Sequence, residues 1–181
     1  MSMLTIKTHS FLKVPFYMQK TGFTCWPASA RMVLDFWEDN ISFPEKQLAE
    51  ELKTTSKDWT DNRHIINFFI SSGYYVYNNK NSSLDDLLFF VWLWIPVVVN
   101  YKDIIWDYGH YGVVVGFTPV SLILNDPYRW ELFKISKETF KKQWISWSGK
   151  NVRWMTAVIK EKYFPYYMLG KYQKDFICKL S

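Results

Sequence analysis

The longest apolar run of the chain separates two halves that differ in their periodicity. Leu87 to Val99 is an apolar run of thirteen residues that contains Pro96. A helix that spans a membrane needs about 20 apolar residues, so this run predicts no membrane span. It is typical of a buried helix that passes into a buried strand at the proline.

The residues before Pro96 have the periodicity of amphipathic helices. Apolar residues recur at the spacing of one helix face, and Ser42 followed by Glu45 is the pattern of a capping box at a helix start. Gly73 is expected to close another helix. The sequence therefore predicts four helices in this half: Trp26 to Trp37, a second that starts after Ser42 and runs to about Lys53, Asp61 to Ser72, and a fourth opened by Ser83 that runs through Val91.

The residues after Pro96 resemble strands instead. Short β-branched or aliphatic runs are bounded by Gly, Asn, Asp or Pro, and a short helix is expected after Ser136. Helices first and an antiparallel sheet second predict an α+β fold. The predicted strands are Val97 to Val99, Val113 to Val115, Leu122 to Leu124 and Val152 to Ile159.

A single domain is expected over residues 1–181, because the chain contains no internal repeat and no flexible linker. Its core is predicted at about 12–160, and the tail at 161–181 is aromatic and basic with no assignable structure. Apolar residues make up 49% of the chain, which argues against disorder. Aromatic residues reach 20%, so the core is expected to consist largely of rings.

The charge and the motifs of the chain exclude several classes of partner. The net charge of +5 is spread along the chain, and no nucleic-acid motif is present, so no nucleic-acid partner is expected. No signal peptide is read in Met1 to Phe11, which makes a cytoplasmic location the default expectation. No spacing of Cys, His and Asp predicts a metal site, and no cofactor is expected. The oligomeric state stays open.

One cysteine lies where a thiol becomes reactive. Cys25 comes at the start of the first predicted helix, in the sequence Thr-Cys-Trp-Pro-Ala. Unpaired N–H groups and the positive end of the helix dipole favour a thiolate there, and the thiolate is the nucleophilic form. Gln19, six residues upstream, could join the Cys25 N–H as a second donor to an oxyanion.

A histidine and a carboxylate complete the predicted set. His110 opens a buried strand between two glycines, and Asp126 ends the next strand along the chain. Adjacent antiparallel strands can bring the carboxylate to the far nitrogen of the imidazole, which is the arrangement of a nucleophile, a base and an orienting group. Asn125 is the alternative orienting residue, and Asp-Pro can also open a turn.

These residues resemble the C39-like peptidase family of papain-like cysteine proteases. The resemblance rests on Val-Pro-Phe-Tyr before Gln19, on Cys25-Trp, on Gly-His110-Tyr and on Asp126-Pro, and it covers roughly Val14 to Trp144. It implies a papain-like fold with N-terminal helices packed on a C-terminal antiparallel sheet. It also implies a Cys–His–Asp triad with a glutamine in the oxyanion hole.

The resemblance leads to one expected function and to alternatives. A peptide or an amide is the expected substrate, hydrolysed through a thioester on Cys25. Family members often have glycine after the cysteine, whereas this chain has Trp26-Pro27. An acyl transferase or amidase with the same triad is one alternative, and a peptide-binding module without catalysis is another. C39 domains that precede ABC transporters cut leader peptides after a double glycine; because this sequence contains no Walker A motif and no membrane span, that substrate is not carried over to it.

The remaining candidates have ordinary structural interpretations. Cys178 is expected to be a small apolar residue, although a disulfide with Cys25 is possible from the sequence. His9 and His64 lack companions, and His64 is expected on a helix surface or as a satisfied interior histidine. Three aromatic residues are either groove-lining or core residues: Trp26, Trp106 and Tyr108.

Overall fold

The computed structural model describes residues 11–38, 43–57, 60–103, 108–146 and 152–178. No helix in these ranges has both the length and the apolar character that a membrane crossing requires. The elements, in chain order, are helices α1 (Cys25–Trp37), α2 (Glu45–Glu51) and α3 (Asn62–Ser71), strand β1 (Tyr74–Asn79), helix α4 (Leu84–Trp92), strands β2 (Val97–Lys102), β3 (Gly109–Phe117), β4 (Ser121–Asn125) and β5 (Phe133–Ser136), helix α5 (Lys137–Gln143), and strands β6 (Met155–Lys160) and β7 (Phe176–Ile177).

Local capping fixes where two of the predicted helices begin and where one ends. The Asp61 side chain accepts the N–H of Arg63 at 2.8 Å at the start of α3. Ser83 and Asp86 form a capping box at the start of α4, with reciprocal bonds of 3.1 Å and 2.7 Å. Gly73 follows α3 with a φ of +82°, a left-handed conformation that favours glycine.

The capping box predicted for α2 is wrong. Glu45 is the first residue of the helix, Pro44 precedes it, and no side chain caps this end. The Glu45 carboxylate instead accepts the N–H of Lys20 at 2.8 Å, from a loop that precedes α1. The partner that the pattern assigned to Glu45, Ser42, lies outside the described residues. The Glu45 carboxylate therefore takes part in a tertiary contact. Helix α2 ends at Glu51, before the predicted limit of Lys53.

In the described part of the chain, seven antiparallel strands form one sheet in the order β5-β4-β3-β2-β6-β1-β7. The predicted combination of helices with a later antiparallel sheet is thereby confirmed. The strand of the first half, β1, was not predicted; it joins the sheet between β6 and β7. In the centre of the sheet, β3 pairs with both β2 and β4, so the strands that carry His110 and precede Asp126 are neighbours.

The segment before α1 runs across the end of the sheet. Leu12 donates its N–H to the carbonyl of Val115 at 2.6 Å, and Phe11 forms a bridge with Gly116 on β3. The Asn125 amide donates to the Val14 carbonyl at 2.9 Å. These bonds fix the segment to β3 and to the end of β4, shortly before α1 begins.

The expected aromatic core is found only in part: the largest fully buried side chains among the described residues are aromatic, but aliphatic side chains are more numerous. Helix α1 packs on β3 and β6, and Trp37 at its end donates its indole N–H to the carbonyl of Val158 at 2.8 Å. Helix α4 packs on β2 and β3, where Phe90 contacts the rings of Tyr77, Tyr172 and Phe176. Because the Val158 carbonyl accepts the indole N–H, the large Trp37 side chain is buried without an unpaired donor.

The tail has a structure that its composition did not predict. Two short 3₁₀ helices, Glu161–Tyr166 and Gly170–Asp175, lead to β7, which pairs with β1. The Phe164 ring stacks on Tyr75 of β1 with centroids 3.8 Å apart. The tail therefore covers the outer side of β1 with both backbone hydrogen bonds and aromatic contacts.

Candidate active site

The candidate nucleophile is the first residue of α1. Cys25 is 1% exposed, and the preceding loop is tightened by a bond from the Thr24 N–H to the Thr21 carbonyl at 3.4 Å. The N–H groups of a first helical turn have no partner within the helix. Pro27, which lacks an N–H, removes one of these donors without cost to the helix. The sulfur therefore lies where the backbone is most electropositive.

His110 reaches the cysteine from the start of β3. Its side chain is 2% exposed and hydrogen-bonds with the side chain of Cys25. The Nε2 atom is occupied by Asp126 at 2.7 Å, so Nδ1 is the ring nitrogen that remains for the sulfur. Since β2 pairs with β3, Tyr101 lies directly across from His110 and packs edge-on against the imidazole, with centroids 5.7 Å apart.

Asp126 holds the imidazole from behind and is itself held by four donors. It directly follows β4 and is fully buried. Its Oδ1 accepts Nε2–H of His110 at 2.7 Å and the N–H groups of Tyr128 and Arg129 at 2.9 and 3.1 Å. Its Oδ2 accepts the hydroxyl of Tyr101. The turn after β4 thus supplies both the carboxylate and two of the donors that orient it.

These contacts favour an ionised pair at the site. Burial by itself lowers the pKa of His110, but the hydrogen bonds and the negative charges of Asp126 and Cys25 raise it to about 10. Burial by itself raises the pKa of Asp126, whereas its bonds to His110 and Tyr101 and the His110 charge leave it below its ordinary value. An imidazolium hydrogen-bonded to the Asp126 carboxylate is the state that these two shifts describe.

Both polar atoms of the Asn125 side chain form hydrogen bonds with backbone groups. Its amide nitrogen donates to the Val14 carbonyl at 2.9 Å, and its oxygen accepts the N–H of Leu132 at 3.2 Å. The hydrogen bond to His110 comes from Asp126. Of the two orienting residues considered from the sequence, Asp126 therefore has the matching geometry.

Gln19 lies in the loop that leads to α1, and a backbone hydrogen bond joins it to the turn that follows β4. Its backbone N–H donates to the carbonyl of Pro127 at 2.9 Å, one residue past Asp126. Its side-chain Nε2 donates one hydrogen to the Thr21 carbonyl at 2.7 Å, and an amide nitrogen carries a second. Over the described residues, this second hydrogen has no hydrogen-bond partner.

Glu45 anchors the same loop and was missed as a contributor to the site. Its carboxylate is 2% exposed and accepts the N–H of Lys20, the residue after Gln19. Together with the Gln19–Pro127 bond, this contact fixes the loop on two sides. No sequence spacing signals the contact, because 25 residues separate Lys20 from Glu45.

Two further residues that the sequence did not single out, the half-buried Arg129 and the buried Tyr101, lie beside the carboxylate. Arg129 donates from Nη2 to Asp103 at 2.8 Å, and its Nε lies 3.8 Å from Oδ2 of Asp126. Burial and the neighbouring Asp126 raise the pKa of Tyr101 well above its ordinary value, so the phenol keeps its proton and remains a donor. The carboxylate therefore has charge compensation on more than one side.

The aromatic residues that the sequence left undecided have different locations. Trp26 is 1% exposed and belongs to the core. Tyr108 is half-buried; burial and a hydrogen bond with Tyr128 raise its pKa to about 12, and the charge of Cys25 contributes to that rise. Tyr108 therefore lies close to the nucleophile. Trp106 lies outside the described residues.

The other cysteine and histidines stand apart from this site. Cys25 and Cys178 are both free, which excludes the disulfide between them, and Cys178 hydrogen-bonds with Tyr75 near the tail. Nδ1 of His64 lies 3.3 Å from the Leu52 carbonyl, as expected of a satisfied histidine, and His9 is not among the described residues. Over the described ranges no three His, Cys, Asp or Glu side chains are grouped to hold a metal ion.

Comparisons with protein families and with solved structures identify relatives of this chain. The model of a family described as the Peptidase_C39 like family matches residues 11–152. No curated protein matches the chain. A Bacillus anthracis protein described as a C39-like peptidase has a TM-score of 0.64 at 16% identity, over 84% of this chain and 98% of that one.

Two other similar structures are peptidase domains of transporters. The peptidase domain of Streptococcus ComA, a bifunctional ABC transporter of a quorum-sensing pathway, has a TM-score of 0.65 at 21% identity, over 81% of this chain and 98% of that one. A double-glycine motif protease from an AMS/PCAT transporter, in complex with a leader peptide, has a TM-score of 0.63 at 20% identity, over 83% and 94%. These likenesses confirm the predicted papain-like α+β fold.

Proposed function

This chain belongs to the C39-like peptidase family, and on that premise we propose that it is a cysteine peptidase that hydrolyses peptide bonds through a thioester on Cys25. The observation that carries the proposal is the hydrogen-bonded series of Cys25, His110 and Asp126. All three residues are buried, and Cys25 is the first residue of α1. A leader peptide bound to one of the similar structures supports a peptide as the substrate class.

The first half of the reaction forms the acyl-enzyme. The Cys25 thiolate attacks the carbonyl carbon of the substrate, and the carbonyl oxygen takes up the negative charge. The backbone N–H of Cys25 and the second hydrogen of the Gln19 amide are the donors available to that oxyanion. The C–N bond then breaks, and the His110 imidazolium gives its proton to the leaving amine, which leaves a thioester and a neutral imidazole.

The second half of the reaction uses the change in charge that acylation causes. Once Cys25 carries an acyl group, its negative charge no longer contributes to the raised pKa of His110. The imidazole, still held by Asp126 through Nε2, is then better able to accept a proton from water at Nδ1. The water oxygen attacks the thioester carbonyl, the C–S bond breaks, and the thiolate and imidazolium are restored.

The proposed function is tested by trapping the acyl-enzyme. The protein is mixed with a library of synthetic peptides, quenched in acid within one turnover and digested for mass spectrometry. We expect cleaved peptides and an acyl adduct on the fragment that contains Cys25. The Cys178→Ala variant is the matched control and should be acylated to the same extent, whereas Cys25→Ala should carry no adduct.

The outcomes of this experiment separate the alternatives. Release of the acyl group to added amines or thiols in preference to water would instead indicate a transferase. Peptides that are retained by the protein without cleavage or acylation would indicate a binding module. Acylation confined to Cys178 would contradict the proposed site.

A substitution at Gln19 tests the oxyanion donors. We expect Gln19→Ala to lower kcat by about 10²- to 10³-fold with a smaller change in KM, since the lost donor acts on charge that develops in the transition state. Steady-state hydrolysis of a cleaved library peptide measures this split. Met18→Ala, at the exposed neighbouring position, is the control. A kcat unchanged in Gln19→Ala would remove this residue from the mechanism.

A further inference from the structure

The residues that follow Cys25 and His110 in the chain are clamped to one another. Trp26 and Tyr111 stack with ring centroids 4.8 Å apart and planes 28° apart. The Trp154 ring packs edge-on against both, at 5.8 and 6.0 Å. Two elements that are remote in sequence, α1 and β3, are therefore joined one residue beyond each reacting side chain.

A single oxygen accepts hydrogen bonds from both Trp26 and Tyr111, the stacked pair that we call the clamp. Oδ1 of Asn62, the first residue of α3, accepts the hydroxyl of Tyr111 at 2.8 Å and the indole N–H of Trp26 at 3.4 Å. An amide oxygen has two lone pairs, so both bonds can exist together. Burial raises the pKa of Tyr111, which therefore keeps the proton that it donates.

The clamp acts on the spacing of the reacting groups through the backbone. Consecutive Cα atoms are held about 3.8 Å apart by a planar peptide, so fixing Trp26 and Tyr111 restricts where Cys25 and His110 can lie. A misplacement of about 1 Å by a change remote from the chemistry can cost about 10²-fold in rate.

We propose that Asn62 is a positioning residue that holds the helix bearing Cys25 and the strand bearing His110 at the separation in which sulfur and imidazole share a proton. The inference rests on the proposed function but concerns a residue of a third element, α3, whose side chain acts through Trp26 and Tyr111. The N-terminus of α3 is thereby part of the catalytic apparatus without contacting the substrate.

Substitution of Asn62 tests the proposal. We expect Asn62→Ala to lower kcat/KM by about 10²-fold, because the two donors lose their common acceptor and the clamp loosens. Asn62→Asp retains the accepting oxygen and should restore kcat/KM to within a few-fold of wild type. Asn67→Ala, at an exposed position of the same helix, is the matched control and should behave as wild type.

A second measurement needs no substrate and separates positioning from general stability. Iodoacetamide alkylation of Cys25, followed by mass spectrometry at pH 6 and pH 9, reports whether the imidazolium still accompanies the thiolate. We expect the ratio of the rate at pH 6 to the rate at pH 9 to fall in Asn62→Ala and to be preserved in Asn62→Asp. A folded Asn62→Ala protein with the wild-type ratio and the wild-type kcat/KM would overturn the proposal.

The Tyr111→Phe variant keeps the test decisive if Asn62→Ala does not fold. It retains the stacked ring and removes only the hydroxyl donor, so kcat/KM and the alkylation ratio should both fall, and wild-type values would overturn the proposal. A wild-type protein that hydrolyses no peptide contradicts the proposed function alone. The alkylation ratios of the Asn62 variants would then still decide whether the clamp sets the Cys25–His110 contact.

Discussion

Replacing His110 with alanine is expected to reduce kcat by about 10⁴- to 10⁶-fold, as much as replacing Cys25, because residues that act as one unit are not additive. The imidazole hydrogen-bonds with both the sulfur and the Asp126 carboxylate. Without it, the thiolate loses its counter-ion and the leaving amine loses its proton donor. Steady-state hydrolysis by His110→Ala, Cys25→Ala and the double variant measures the effect.

The double variant distinguishes a catalytic unit from two independent contributions. We expect it to be no slower than either single variant. His64→Gln is the matched control, since His64 bonds to a carbonyl outside the site, and its activity should stay within a few-fold of wild type. More than a tenth of the wild-type kcat in His110→Ala would contradict the mechanism.

Asp126→Asn is expected to lower kcat by up to about 10⁴-fold and to move the alkaline limb of the pH profile to lower pH. The imidazolium is the acid that protonates the leaving amine, so kcat/KM should fall as pH rises through the pKa of His110, about 10 in the wild type. The carboxylate helps to raise that pKa, and its neutralisation therefore lowers it. Profiles of kcat/KM from pH 5 to pH 11 measure the shift.

The neighbouring asparagine provides the control for this prediction. Asn125→Ala removes the bonds to Val14 and Leu132 and should lower stability while leaving the alkaline limb in place. Asp126→Ala should also destabilise the fold, by about 3 to 5 kcal/mol, because it leaves buried partners without their counter-charge. An alkaline limb at the same pH in Asp126→Asn and wild type would show that the carboxylate does not support the imidazolium.

Local patterns predicted those parts of the fold that local physics determines. The start of α4 at Ser83 and the end of α3 before Gly73 follow from capping and backbone freedom, and both are confirmed. The short aliphatic runs likewise predicted β2, β3 and β4, because a strand buried on both faces has no polar alternation. Strand β1 was missed, since its tyrosines and asparagines resemble a polar surface segment, although tyrosine favours strands.

Contacts between remote segments were beyond the reach of sequence patterns. Glu45 has the spacing of a capping residue, yet its carboxylate binds Lys20. Tyr101 and Asn62 carry no motif, and their relation to the site depends on which strands and helices become neighbours. Cys25 and His110 could be proposed from the sequence because the chemistry expected of them favours a helix start and a strand end, whereas supporting residues can come from any element.

The order of the strands also determines when the sheet can be completed during synthesis. Strand β1 pairs with β6 and β7 in the described structure, and β6 begins at Met155, about 75 residues after β1 leaves the ribosome. At about 5 to 20 residues per second, the hydrogen-bonding edges of β1 wait roughly 4 to 15 s for a partner. An unpaired edge is open to association with other chains, so a nascent chain is most vulnerable in this interval.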